Sequence, residues 1–125
     1  MTPIASAQRI RNSRYRLRGI GAFETVFRSG RRHDAQYLQL IAAPAAQSPG
    51  RVGYVIGRKA MPRAVDRNRL RRGLRELIRA TRPALEAFDV ILRVKRSVAR
   101  TEIDLVLDEA RRLLTRLREP AVAVR

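Results

Sequence analysis

The amino-acid sequence predicts a small domain of the mixed α/β class, and two kinds of hydrophobic pattern support this. Three segments show the apolar periodicity of helices, whereas three others are short runs rich in branched residues, which is typical of strands. With 125 residues, of which 45% are hydrophobic, the chain is long enough for one domain with its own core. No internal repeat and no second domain are visible.

The first predicted helix covers residues 21–29. Ile20, Phe23 and Phe27 share one face of it, and Gly30 is a plausible C-terminal stop. This helix is expected to bury that face against the rest of the domain.

Three strands are predicted, at residues 36–43, 51–57 and 88–95. The loop at residues 44–50, which contains two prolines, a serine and a glycine, joins the first two strands. Such a short connection favours an antiparallel pair of neighbours.

Two longer helices complete the prediction. One begins at residue 62 or 64, runs to residue 81 and is followed by Pro83; its apolar stripe is Leu70, Leu74, Leu77 and Ile78. The other covers residues 101–118 and is clearly amphipathic. Thr101 is a candidate N-cap there, with Asp104 completing an imperfect capping box.

The organisation predicted from these elements is a basic flexible arm at residues 1–18, a single domain at residues 19–119 and a tail at residues 120–125. The basic N-terminus lacks the apolar run of a signal peptide, and no stretch has the length of a membrane span. The absence of cysteine excludes disulfides and cysteine zinc sites. A cytoplasmic protein is therefore expected.

The charge of the chain is strongly positive and unevenly distributed. Lys plus Arg is 28 against 11 acids, a net charge of +17. Residues 1–82 carry 19 basic and 4 acidic side chains, whereas residues 83–125 carry 9 and 7. This excess predicts a polyanionic partner, and nucleic acid is favoured over an anionic membrane surface. Nearly all the basic residues are arginine, whose planar fork suits phosphate.

The long helix carries the clearest binding pattern. At about 100° per residue, Asn68, Arg72, Arg75 and Arg79 form one stripe opposite the leucines. A buried apolar face would therefore turn a row of guanidinium groups outward. An ordinary solvated helix face mixes charges of both signs, but acids are nearly absent here, so the pattern favours contacts with RNA phosphates.

Several segments in this order resemble the protein component of bacterial ribonuclease P. They are Phe23-Glu-Thr-Val26-Phe27, then Arg51-Val-Gly-Tyr-Val-Ile-Gly-Arg-Lys59, the RNR segment from Arg67 to Arg69, and the strand Phe88-Asp-Val-Ile-Leu-Arg-Val-Lys. The resemblance covers about residues 9–117. Gly73 and Pro62 depart from the family pattern, which puts local helix stability in question.

The resemblance implies a two-layer α/β sandwich with a small mixed sheet, an α-β-β-β-α-β-α order and a left-handed crossover at the RNR helix. It implies that the chain binds a catalytic RNA and the 5′ leader of precursor tRNA. The RNA, with its magnesium ions, would cut the leader, and the protein would hold no cofactor itself.

The candidate sites follow from the matched segments and the helix stripe. The RNA-binding set is Arg58, Lys59, Arg67, Asn68, Arg69, Arg71, Arg72, Arg75 and Arg79. For Arg67 the helical wheel points nearer the apolar side, and for Arg58 a solvated strand end is an equal alternative. The leader-binding set is Phe23, Phe27 and Tyr37, for which a core role is the alternative.

No catalytic residue is predicted. His33 is the sole histidine, no serine has a plausible base partner, and the acids Glu102, Asp104, Asp108 and Glu109 are more typical of helix-dipole partners than of metal ligands. Alternatives from other classes are a ribosomal or other structural RNA-binding protein, a DNA-binding regulator and a stand-alone nuclease. The sequence shows no helix-turn-helix pattern, which argues against a DNA-binding regulator. It also shows no set of catalytic residues, which argues against a stand-alone nuclease.

Overall fold

A computed structural model describes residues 15–47, 49–81 and 84–118. It contains a four-stranded sheet and three α-helices, which confirms the mixed class and the α-β-β-β-α-β-α order. The elements are α1 (Ile20–Ser29), β1 (Arg31–Asp34), β2 (Leu38–Pro44), β3 (Val52–Val55), α2 (Ala64–Thr81), β4 (Phe88–Val94) and α3 (Ile103–Arg118), with 3-10 turns at Ala84–Ala87 and Arg100–Glu102.

The predicted pairing of β2 with β3 is wrong. The strand order is β1-β2-β4-β3, so that β4 lies between them, antiparallel to β2 and parallel to β3. The reason is burial, since Val90, Ile91 and Leu92 of β4 are all 0% exposed. A strand that is apolar on both faces is stable in the middle of a sheet covered on both sides. α2 then supplies the crossover between the parallel strands β3 and β4.

The edge strand β1 was not found by pattern, although the family resemblance implied an additional strand. Its residues Arg31–Asp34 are polar and mostly exposed, and they pair antiparallel with β2. An edge strand that packs little apolar surface has no hydrophobic alternation to detect. Charged side chains are also a common means of protecting a free sheet edge.

The other edge of the sheet is covered by the end of the predicted arm. Leu17 donates its N–H to Val52 O at 3.0 Å, and Val52 donates its own to Tyr15 O at 2.7 Å. Residues 15–17, which fall within the predicted arm, are thus paired with β3. The remainder of the arm, residues 1–14, and the predicted tail lie outside the described residues.

Two hydrophobic clusters lie on opposite faces of the sheet. The larger joins α2 and α3 to one face, through residues such as Leu70, Leu74 and Val106 against Leu40 and Leu92. The smaller lies under α1 and contains Leu17, Val26, Ile41, Ala43 and Ile91. Alternate residues of β2 and β4 thus serve different faces, as the period of two in a strand requires.

The ends of α1 show one confirmed prediction and one wrong one. Gly30 does end the helix, and its N–H bonds to Val26 O at 2.8 Å. A Cβ at Gly30 would lie 2.6 Å from that oxygen and 2.7 Å from Ile41 Cγ2, so close packing on β2 requires glycine there. Ile20, by contrast, is 79% exposed and is not part of the buried face.

The connection between β2 and α3 depends on a buried carboxylate. Glu109 is 7% exposed and accepts backbone N–H groups from Gln36 at 3.0 Å, Tyr37 at 2.9 Å and Leu38 at 3.2 Å. These bonds compensate its desolvation and fix the start of β2 against α3.

The predicted cap at Thr101 is not used. The helical segment instead begins at Arg100. The N–H of the preceding Ala99 donates to Glu102 Oε1 at 2.7 Å.

Gly73 lies where α2 and α3 meet. A Cβ at this position would lie 2.8 Å from both Cδ atoms of Leu107. Glycine inside a helix costs roughly 1 kcal/mol relative to alanine. The Leu107 side chain occupies the space that a Cβ would need, so glycine allows α3 to approach α2 closely at this position.

A double-mutant cycle tests this account. Gly73→Ala should leave the free energy of unfolding nearly unchanged in the wild-type background, because the gain in helix propensity is offset by displacing Leu107. In a Leu107→Ala background the same substitution should raise that free energy by about 1 kcal/mol. Chemical denaturation measures both values, and equal effects in the two backgrounds would contradict the contact.

Candidate nucleic-acid interface

The outward face of α2 is a row of exposed basic side chains. Leu70, Leu74 and Ile78 are at most 1% exposed, so the opposite face of the helix is in solvent. The exposed residues there include Asn68, Arg69, Arg72, Arg75 and Arg79, with Glu76 as an exposed acid among them. Burial of the leucines therefore orients the stripe as the sequence predicted.

Arg71 lies at the partly buried side of this row. Its Nη1 donates to Asn68 Oδ1 at 3.0 Å. Burial lowers the pKa of Arg71, and the nearby charges of Arg75, Arg67 and Arg16 lower it further. Arginine nevertheless remains charged at neutral pH. Four guanidinium groups are thus close enough to repel one another, and a bound polyanion would relieve that repulsion.

Arg16 was not predicted as part of this site. It reaches the row because residues 15–17 pair with β3, where Arg16 and Val52 form a parallel β-bridge. Sequence offered only its basic character, which many other residues in the N-terminal segment share.

Two members of the predicted set have partners within the protein. Arg67 Nη1 donates to the carbonyl oxygens of Met61 at 2.8 Å and Pro62 at 2.9 Å, so this side chain fastens the loop before α2. Arg79 Nη2 lies 2.6 Å from Glu76 Oε2, with both side chains more than 60% exposed. Exposed pairs of this kind contribute little, so Arg79 remains able to bind an anion.

Arg58 and Lys59 lie exposed in the turn after β3. Lys59 lines a cavity of about 410 Å³ at the carboxyl ends of the parallel strands β3 and β4. The other cationic residues lining it are Arg93, Lys95 and Arg96, none of which was a predicted site residue. The cavity lining therefore adds a group of cations to those of α2.

The two phenylalanines of α1 are partly buried over the smaller cluster. A Cβ at Gly53 would lie 2.5 Å from Phe23 Cζ, so the glycine of the Arg51-Val-Gly segment is needed for this ring to pack on β3. The guanidinium of Arg32 lies over the ring of Phe27, 6.0 Å from its centroid, and donates to Phe27 O at 2.8 Å. Phe23 and Phe27 are thus brought together at one face of the sheet.

Tyr37, the third residue of the predicted leader-binding set, does not lie beside them. It is 7% exposed and packs in the larger cluster, on the opposite face of the sheet. Its hydroxyl donates to Glu102 Oε2 at 2.8 Å, which raises the pKa of Tyr37, and Arg96 lies over its ring. Alternation alone would place Tyr37 beside Ile41, but β2 begins only at Leu38 and the preceding backbone turns towards Glu109.

Glu102 and Asp108, two of the acids grouped in and before α3, have partners within the protein. The N–H of Ala99 and the hydroxyl of Tyr37 lower the pKa of Glu102, while Asp108 pairs with Arg111 at 2.7 Å. Within the described residues, no group of three or more His, Asp or Glu side chains could hold a metal ion. Nor does any helix in the described part of the chain have the length and apolarity needed to cross a membrane.

Comparison with known proteins identifies the family. A family model described as Ribonuclease P matches residues 12–118. The chain belongs to this family. It is 42% identical over 76 residues to the ribonuclease P protein component of a Synechococcus species, covering 58% of this chain and 57% of that protein. The corresponding protein of Chromobacterium violaceum is 33% identical over 97 residues, covering 78% of this chain and 79% of the relative.

Solved structures agree with this assignment at the level of the fold. A mutant RNase P protein from Staphylococcus aureus, described as defective in mRNA degradation, superposes with a TM-score of 0.73 at 18% identity, covering 88% of this chain and 96% of that one. The RNase P protein from Thermotoga maritima gives a TM-score of 0.64 at 24% identity, covering 75% and 92%. The ribonuclease P protein family acts in endonucleolytic processing of tRNA, as part of a ribonucleoprotein.

The outward row of α2 should dominate the salt dependence of RNA binding. Replacing Arg72 and Arg75 together by alanine should flatten the slope of log affinity against log salt by about one to two, because two phosphate contacts are lost. Arg112 and Arg116, which are exposed on α3, provide the matched control pair. Filter-binding titrations at several salt concentrations measure the slopes, and the same flattening for both pairs would exclude α2 as the docking face.

Proposed function

We propose that this chain is the RNA-binding protein subunit of ribonuclease P, which binds the catalytic RNA and the 5′ leader of precursor tRNA. The observation that carries this proposal is the outward row of α2 in a chain of this family. Arg69, Arg72 and Arg75 have no acidic partner within 4.0 Å in the described part of the chain. Their charge is therefore available to a polyanion.

The catalytic RNA is proposed to dock on α2. The helix is held rigidly by Leu70, Leu74 and Ile78, so its arginines are presented at fixed spacing. Arginines on a rigid helix can contact successive phosphates with little further loss of side-chain freedom. Asn68 can add a donor to phosphate or ribose through its amide nitrogen, since its oxygen accepts from Arg71.

The leader is proposed to bind beside α1, where Phe23 and Phe27 lie. Partly exposed aromatic rings can stack on unpaired bases without regard to sequence. The face of the sheet next to this pair is lined by cations that can neutralise the leader phosphates. Tyr37 is not part of this proposal, because it is buried on the other face.

The cleavage step is proposed to belong to the RNA and its magnesium ions. The described residues offer no group of carboxylates or histidine that fits a metal ion, so no step is assigned to a metal held by the protein. The protein's part is to bind, to orient the substrate and to neutralise phosphate charge. A cytoplasmic location would accord with this role in tRNA maturation.

A structural RNA-binding protein such as a ribosomal protein is the alternative, and the family match does not favour it. Purifying the tagged chain and sequencing the bound RNA separates the two proposals. A single RNA with catalytic activity is expected, whereas copurification with ribosomes would support the alternative.

The division of labour predicts that the RNA-free protein is inactive. Purified chain, treated to remove RNA and supplied with magnesium, should not produce mature 5′ ends from precursor tRNA. Adding the catalytic RNA should restore cleavage. Gel analysis of labelled precursor measures the products, and activity of the RNA-free preparation would overturn the proposed role of the RNA.

The aromatic pair predicts a leader-dependent effect. Phe23→Ala should weaken holoenzyme binding of precursor tRNA by about 1–3 kcal/mol, the usual contribution of stacking on a base. Binding of mature tRNA, which has no leader, should be unchanged. Both affinities and the thermal stability should be measured on the same variant. A folded variant with the wild-type ratio of precursor to mature affinity would contradict a leader role for Phe23.

A further inference from the structure

A row of polar side chains crosses three strands on the face of the sheet that carries α1. Asp34 of β1 is the register partner of Gln39 of β2, which is in turn the partner of Arg93 of β4. Ile41 and Ile91, two positions away on the same strands, lie under α1. Because residues two apart share a face, Gln39 and Arg93 face the same side as the phenylalanines.

The three side chains form a continuous hydrogen-bonded chain. Gln39 Nε2 donates to Asp34 Oδ1 at 3.0 Å, and Arg93 Nε donates to Gln39 Oε1 at 3.2 Å. A carboxylate only accepts and a guanidinium only donates, so the amide of Gln39 fits between them in one orientation. Lys95 Nζ also donates to Asp34 Oδ1, at 3.1 Å.

This arrangement leaves the outer end of the guanidinium free. Arg93 uses Nε for Gln39, and its two terminal nitrogens have no acceptor among the described residues. The side chain is partly exposed and lines the cavity of about 410 Å³, together with Lys59, Lys95 and Arg96. The hydrogen bonds from Lys95 and Gln39 lower the pKa of Asp34, so this carboxylate is ionised throughout the neutral range.

We propose that this cavity binds an RNA phosphodiester, with Arg93 as the contacting residue and Gln39 and Asp34 as residues that position it. The inference rests on the proposed function and deepens it. A guanidinium fixed through Nε presents its two terminal nitrogens as a fork, which matches two phosphate oxygens. Asp34 offsets the charge of Lys95, with which it pairs at 3.1 Å, whereas Arg93 has no acid within 4.0 Å among the described residues.

The leader is the expected source of the phosphodiester, since Phe23 and Phe27 lie on the same face. The backbone of the catalytic RNA offers the same chemistry. The two sources differ in a measurable way, because mature tRNA retains every contact of the precursor except those made by the leader.

Substitution of the positioning residues separates geometry from charge. Gln39→Met removes both hydrogen bonds without changing the charge and should weaken holoenzyme binding of precursor tRNA about tenfold, the usual effect of losing a hydrogen bond to a charged group. Asp34→Ala should weaken it in the same direction. Nonspecific electrostatic attraction between protein and RNA predicts a higher affinity instead, because removing an acid makes the protein more positive. Asp34→Asn, which keeps an acceptor for Gln39, should restore most of the affinity.

Matched variants complete the experiment. Arg93→Gln should reproduce the loss, whereas Arg112→Gln, which removes an exposed arginine of α3, and Gln36→Met, at an exposed glutamine, should not. Affinities for precursor tRNA, mature tRNA and the catalytic RNA are measured for each variant, with thermal unfolding as the control for folding. The Asp34 side chain is 55% exposed, so its substitution keeps the test decisive if Gln39→Met proves unstable.

Loss of precursor binding alone supports the leader as the source, and loss of binding to the catalytic RNA assigns the phosphodiester to that RNA. Unchanged affinities for all three RNAs, or a gain with Asp34→Ala, would overturn the inference. A wild-type holoenzyme that does not prefer precursor over mature tRNA would instead contradict the proposed function itself.

Discussion

The rest of the structure depends on the burial of β4 at the centre of the sheet. Its residues Val90, Ile91 and Leu92 are apolar on both faces, so the sheet must be covered on both sides. One face is covered by α2 and α3 and the other in part by α1. α2 packs on the sheet and on α3 with one side only, so the arginines on its outer side remain in solvent. The candidate RNA-binding surface is thus a consequence of how the central strand is covered.

Basic and acidic side chains are distributed differently over the fold, the basic ones on the candidate binding surfaces and several acids in contacts within the protein. The basic excess lies in residues 1–82, and the described part of that segment forms α1, α2 and the strands β1, β2 and β3. Several acids of the last third have partners within the protein. Glu109 fixes the start of β2, Glu102 holds the turn before α3, and Asp108 pairs on the helix surface. This use of acids for support leaves few of them to neutralise the basic surfaces.

Gly30, Gly53 and Gly73 act through close contact rather than through unusual backbone angles. A side chain at Gly53 would collide with Phe23, and one at Gly30 with Val26 and Ile41. Gly73 similarly makes room for Leu107 between α2 and α3. Glycines in short motifs of this chain are therefore required by the packing of residues that are distant in sequence. Such motifs can be recognised although they contain no catalytic group.

The sequence by itself determined the class, the three α-helices, the three apolar strands and the outward stripe of α2, because each follows from local periodicity and from one strong difference in polarity. Tertiary structure decided the position of β4 between β2 and β3, the polar edge strand β1, and the covering of β3 by residues 15–17. It also separated Tyr37 from the phenylalanines and joined Asp34, Gln39 and Arg93. These contacts link residues far apart in the chain through strand register and backbone direction, which local patterns do not encode.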